Sequence, residues 1–129
     1  MSVDRSEEYL RQASAEMADR YSGDCLKQAR AIRDLLVAEG HDAWIGRLRK
    51  TEAFGATTFH APLTPLRFRG RRGPTWTTHY VCCSGGKAYD PLLGAAVPLA
   101  GYSMAVFGEE LEIEPVDQSP GSLPATEIG

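Results

Sequence analysis

Cysteine is scarce in this chain of 129 residues: there are three, and two of them are adjacent at Cys82 and Cys83. An odd number with that spacing does not make a disulfide framework. Histidine is equally sparse, at His41, His60 and His79, and no combination of these with the cysteines has the ligand spacing of a zinc site. No metal and no other cofactor is expected. An excess of basic charge is missing too: the net charge is −3, which speaks against general nucleic-acid or anionic-membrane binding. No uninterrupted apolar run reaches membrane-spanning length, and Met1 to Glu7 lacks the basic, then apolar, opening of a signal peptide. What the chain has is apolar mass, 43% hydrophobic residues. That suits one compact domain over 1–117, followed by a Ser/Pro/Gly-rich tail, 118–129, expected to be flexible.

Two helices are expected first. Asp4 with Glu7 resembles a capping box, and Leu10, Ala13 or Ser14, Met17 and Tyr21 form an apolar stripe below it. Asp24 is a good N-cap, after which Leu26, Ala29, Ile32 and Leu36 recur at helical spacing until Gly40 ends the run. Cys25 then occupies the first helical position. Unpaired amides and the positive end of the helix dipole favour a thiolate there, and the backbone amides of Asp24 and Cys25 are placed to bind a developing oxyanion. A cysteine taken alone is more often a small apolar residue under a helix.

A hairpin changes that balance. Trp76 to Cys83 is rich in β-branched and aromatic residues, and Ser84-Gly85-Gly86-Lys87 supplies a tight turn. A loop at Gly85-Gly86 opposes Ser84 to Lys87, Cys83 to Ala88, Cys82 to Tyr89 and Val81 to Asp90. Alternation then puts His79, Val81, Cys83, Ala88 and Asp90 on one face and Trp76, Tyr80, Cys82 and Tyr89 on the other. His79 and Asp90 become diagonal neighbours, roughly 7–8 Å apart by Cα, within reach of a carboxylate–imidazole bond. Thiol, imidazole and carboxylate in this order are what a cysteine-nucleophile acyl-transfer enzyme needs.

These segments, Gly23-Asp24-Cys25-Leu26 with its helix to Gly40, Thr78-His79-Tyr80-Val81, and Ala88-Tyr89-Asp90-Pro91-Leu92-Leu93-Gly94, span most of the chain. In order and spacing they resemble the papain-like and transglutaminase-like superfamily, most closely the small papain-fold toxin domains of bacterial secreted effectors, several of which are glutamine deamidases. The resemblance implies an α+β fold with a papain-like core, in which N-terminal helices, the Cys25 helix among them, pack on a small antiparallel sheet. It makes Cys25 the nucleophile, His79 the general base and Asp90 the residue that orients the ring. It also implies a protein substrate in a target cell, a cognate immunity protein, and export without a cleaved signal peptide to act in the target-cell cytoplasm. The Cys-Gly-Ser-Cys-Trp signature and the upstream glutamine of papain itself are absent, so the side-chain half of that family's oxyanion hole has no counterpart here.

Elsewhere, Ala43 to Leu48 reads as a strand, Lys50 to Pro74 as a long punctuated connection with a short strand at Ala56 to His60, and Pro98 as the start of a helix carrying Leu99, Tyr102 and Val106 up to Gly108. Leu111 to Glu114 alternates as a final strand. Arg67, Arg69, Arg71 and Arg72, just ahead of the histidine strand, read either as a solvated loop or as a docking patch for acidic groups on a substrate. Glu109, Glu110, Glu112, Glu114 and Asp117 balance them in charge. Trp44 reads as core or as a wall of the substrate cleft; Trp76 and Tyr80 read as core packing. His60 has no acidic partner to orient it, and His41 is expected at the surface. The triad alone leaves deamidation, proteolysis and transamidation open, and an amide at position 90 is expected to be tolerated better than loss of Cys25. A leader-peptide-processing peptidase and a non-catalytic module binding through the arginine loop are the other readings.

Overall fold

The computed structural model describes residues 5–17, 24–68 and 76–117. The tail from 118, the arginines at 69, 71 and 72, and the helix positions Asp4 and Tyr21 lie outside the described residues. The fold is α+β, with helices α1 (Arg5–Met17), α2 (Cys25–Ala38) and α3 (Tyr102–Phe107) around an antiparallel sheet. The strands are β1 (Trp44–Leu48), β2 (Lys50–Phe54), β3 (Thr57–Ala61), β4 (His79–Ser84), β5 (Lys87–Tyr89), β6 (Val97–Pro98) and β7 (Ile113–Asp117). Five of them form one sheet in the order β6-β5-β4-β1-β7, and β2 and β3 pair only with each other as a separate ribbon.

Local chemistry accounts for the element ends. The Asp24 carboxylate accepts from the Lys27 amide at 3.2 Å and opens α2 at Cys25. Gly40, at φ 87°, closes it: its own amide donates to the Val37 carbonyl and the His41 amide to the Leu36 carbonyl, a Schellman ending that only a left-handed residue permits. Gly85 and Gly86 both hold positive φ, 58° and 76°, and the hairpin register Ser84 to Lys87, Cys83 to Ala88 and Cys82 to Tyr89 follows from that turn.

The central strand β4 is buried along its whole length, with apolar layers on both sides. On one face Tyr80, Cys82, Tyr89 and Ile45 pack against Leu10, Leu26, Ala29, Ile32 and Leu36 of α1 and α2. On the other, Leu48, Val81, Cys83 and Ala88 meet Leu63, Phe68, Leu92, Tyr102, Val106 and Phe107. Among the described residues no helix is long and apolar enough to cross a membrane.

Three expectations need correcting, and a fourth gains partners. The long connection contains a full ribbon: the short strand expected at Ala56 to His60 is β3, and β2 pairs with it. Pro98 ends a strand edge and α3 begins only at Tyr102, because Pro98 lies opposite Lys87 in the sheet. Within the described residues the acidic stretch pairs with basic residues of β1, β2 and the link between them: Glu114 takes Arg47 and Arg49, and Glu109 takes Lys50 at 2.7 Å. Trp76 lies on the His79 side of the sheet, since regular strand geometry starts only at His79 and alternation does not extend back through the bend at Thr77.

Candidate active site

Cys25 is the first residue of α2 and is half-buried. Helix geometry leaves the first-turn amides, those of Cys25 and Leu26 among them, without intrahelical acceptors, and the Asp24 side chain takes up that of Lys27. The contribution the structure gives Asp24 is this cap.

His79 begins β4, backbone-paired to Leu48 of β1, and Asp90 follows β5 at the start of the Asp90–Leu93 turn, closed by the Leu93 amide on the Asp90 carbonyl at 3.0 Å. The hairpin brings them together as its register demands: His79 Nε2 lies 2.7 Å from Asp90 Oδ2. Both are buried, His79 1% and Asp90 2% exposed. The carboxylate is held from three sides. The Leu92 amide donates to Oδ1 at 2.9 Å, and the Tyr102 hydroxyl donates to Oδ2, the oxygen that also receives the imidazole. The ring itself is sandwiched. Trp76 stacks on it at 4.6 Å and 23°, and Phe107 meets it edge-on at 5.5 Å.

Burial alone would push the imidazole toward its neutral form. The negative charge and hydrogen bond of Asp90 overcome that, with smaller contributions from Cys25, and carry the His79 pKa up to about 10. Burial would raise Asp90 in the same way, but His79, Tyr102 and the Leu92 amide hold it below its ordinary value. At neutral pH the pair is imidazolium and carboxylate.

The second ring nitrogen, Nδ1, is buried and, among the described residues, has no hydrogen-bond partner in bonding geometry. The Cys25 thiol is nevertheless near enough to raise the ring's pKa by charge and hydrogen bonding. An open nucleophile–base contact of this kind is common before substrate binds. The other thiols play no such part: burial pushes Cys82 and Cys83 each up to about 12.

Several residues singled out in the sequence lie elsewhere. Trp44 pairs with Cys83 while Leu48 pairs with His79, so the Trp44 Cα lies four positions along β1 from the residue opposite His79, and its half-buried ring packs against the core layer on the His79 side of the sheet. Arg67 is engaged within the fold: its guanidinium donates to Ser14 Oγ and to the Ser14 carbonyl, each at 2.7 Å, and to the Leu92 carbonyl at 3.4 Å. His60 contacts Thr51 and Arg49 on the exposed ribbon and has no carboxylate partner there, and His41 is exposed. Among the described residues no group of His, Cys, Asp and Glu could hold a metal ion.

Sequence reasoning misses three residues around the His79–Asp90 pair: Trp76 and Phe107 against the ring, and Tyr102 on the carboxylate. Strand alternation puts Trp76 on the opposite face, and Phe107 gives no signal beyond its apolar character. Tyr102 left one signal, a hydroxyl on the otherwise apolar Leu99, Tyr102, Val106 stripe, where a buried tyrosine usually finds a partner. No family model, curated protein or solved structure matches this chain.

Proposed function

We propose that this protein is a cysteine-dependent acyl-transfer enzyme with a papain-like core, a Cys25–His79–Asp90 triad and a glutamine side chain of a protein as its substrate. The observation that carries it is the buried His79–Asp90 pair whose remaining nitrogen is unpartnered beside a thiol at a helix start. An imidazolium already formed at neutral pH is suited to protonate a departing amine. In the reaction, the Cys25 thiolate attacks the carboxamide carbon and the amides of Cys25 and Leu26 hold the oxyanion. The C–N bond then breaks as His79 gives its proton to the nitrogen, ammonia leaves, and a thioester remains. Neutral His79 next takes a proton from water, hydroxide adds, and the C–S bond breaks to release glutamate and the thiolate. Resemblance to effector deamidases supports the choice of glutamine, of a target-cell protein and of an immunity partner, by analogy alone.

The test is peptide mass spectrometry of target-cell proteins exposed to the wild type and to Cys25→Ala. A glutamine-to-glutamate change that needs Cys25 is expected. New termini would reassign the enzyme as a protease and amine adducts as a transglutaminase. No Cys25-dependent change at all would sink the enzymatic reading.

A further inference from the structure

Asp90 Oδ2 has two donors where orienting a ring needs one. The imidazole Nε2 lies at 2.7 Å, and the Tyr102 hydroxyl, on a residue with 0% exposure, donates to the same oxygen. Tyr102 comes from α3, which takes no other part in the site except through Phe107 against the ring edge. We propose that Tyr102 is a positioning residue for His79, fixing the Asp90 carboxylate and drawing charge from the oxygen that grips the ring, so that the imidazole is held in place without being made too basic to surrender its proton.

Two physical steps support this. A carboxylate sealed from water must find protein donors for its lone pairs, and here three are present: Leu92 N–H on Oδ1, Tyr102 O–H and His79 N–H on Oδ2. With both oxygens engaged, the carboxylate cannot rotate without leaving a donor unpaired, which fixes the direction in which it pulls His79. A hydrogen bond from Tyr102 also stabilises the carboxylate anion, and so weakens its hold on the imidazolium proton. Removing the hydroxyl concentrates charge on the ring's partner and should raise the pKa of His79. Among the described residues, the other titratable groups acting on this pair are Cys25 from α2, Cys83 from β4 and Tyr102 itself; burial and the Asp90 charge keep the Tyr102 hydroxyl protonated well above the ordinary range.

The role as stated rests on the triad reading, but its test does not need turnover. Ring resonances of His79 are followed by NMR against pH in the full chain, as wild type, Tyr102→Phe, Val106→Ala, and with 3-fluorotyrosine placed at position 102. Val106 is buried in the same helix and core and cannot bond the carboxylate, so it reports a purely structural loss. Tyr102→Phe should raise the ring's pKa by about half a unit or more. The fluorinated ring, a stronger donor of the same shape, should lower it, and Val106→Ala should leave it unmoved. Equal behaviour of Tyr102→Phe and Val106→Ala would overturn the assignment. If Tyr102→Phe fails to fold, the fluorinated protein decides, and an upward or absent shift there overturns it. Should the ring respond as described while no Cys25-dependent turnover is found, the enzymatic reading falls and the control of His79 by Tyr102 stands.

Discussion

At the scale of single residues, the three thiols separate by environment. Cys25 is half-buried at a helix start, whereas Cys82 and Cys83 are sealed in the core and pushed up to about 12 by burial. Iodoacetamide at neutral pH should therefore modify Cys25 alone, and His79→Ala should slow that reaction, both read by peptide mass spectrometry. The donors around Asp90 revise what an amide would do there. Leu92 N–H occupies one oxygen and Tyr102 with His79 the other, so the NH2 of Asp90→Asn meets a donor whichever way it turns. The cheapest solution inverts the ring tautomer and leaves Nδ1 protonated in the neutral ring, where it cannot act as a base. Glutamine conversion should fall by about 10²–10⁴-fold, still short of the loss in Cys25→Ala.

The same pair sets a pH window for stability. His79 rises from 6.5 to about 10 on folding, so its contribution is complete below about 6.5 and is lost as pH climbs toward 10. Asp90 is lowered on folding from 3.8, so its contribution is complete above that value and is lost as pH falls through the lower folded one. Urea midpoints should decline between about pH 7 and 9, and His79→Gln should flatten that decline. Above 9.0, the ordinary thiol value, Cys82 and Cys83 add a loss of the same sign, which the glutamine variant keeps.

At the scale of elements, the α2 helix and the β4–β5 hairpin were legible because each is specified by neighbours in sequence: Asp24 and Gly40 bound the helix, and Gly85-Gly86 set the register. Of the β2–β3 ribbon only β3 was legible, as the short strand at Ala56 to His60; β2 was not, since it is exposed from Thr51 to Phe54 and carries no alternating pattern. Nor was the partner of β1. It lies between β4 and β7, with a bulge between Ile45 and Gly46 that no local signal announces. Gly46 is needed there for closeness: a Cβ at that position would come within 2.4 Å of Ile113 Cγ2. Gly46→Ala should loosen the β1–β7 pairing and cost about 1–3 kcal/mol in denaturant unfolding, with Ile113→Ala restoring part of the loss.

At the scale of the whole molecule, the site depends on segments far apart in sequence being tied together. Arg67 does some of this, joining Ser14 at the end of α1 to Leu92 in the turn that begins at Asp90. Arg67→Ala should cost about 1–3 kcal/mol and speed hydrogen exchange in α1 relative to α2. An arginine in a basic run looks like a surface group in the sequence, because nothing local tells which guanidinium will find a carbonyl 25 residues away.

Chemistry with a short reach was written in the sequence: the cap that starts α2 at Cys25, the turn that sets His79 beside Asp90, and the burial of Tyr80, Cys82 and Tyr89 against the helices. Each depends on periodicity or on residues within about a dozen positions. Only the folded chain decided that Trp76 stacks on the imidazole, that Tyr102 shares the Asp90 oxygen and that Arg67 turns inward. Those contacts form where independent elements are packed together by apolar burial, a force that has magnitude but no direction, so their partners are chosen by the shape of the core and not by spacing along the chain.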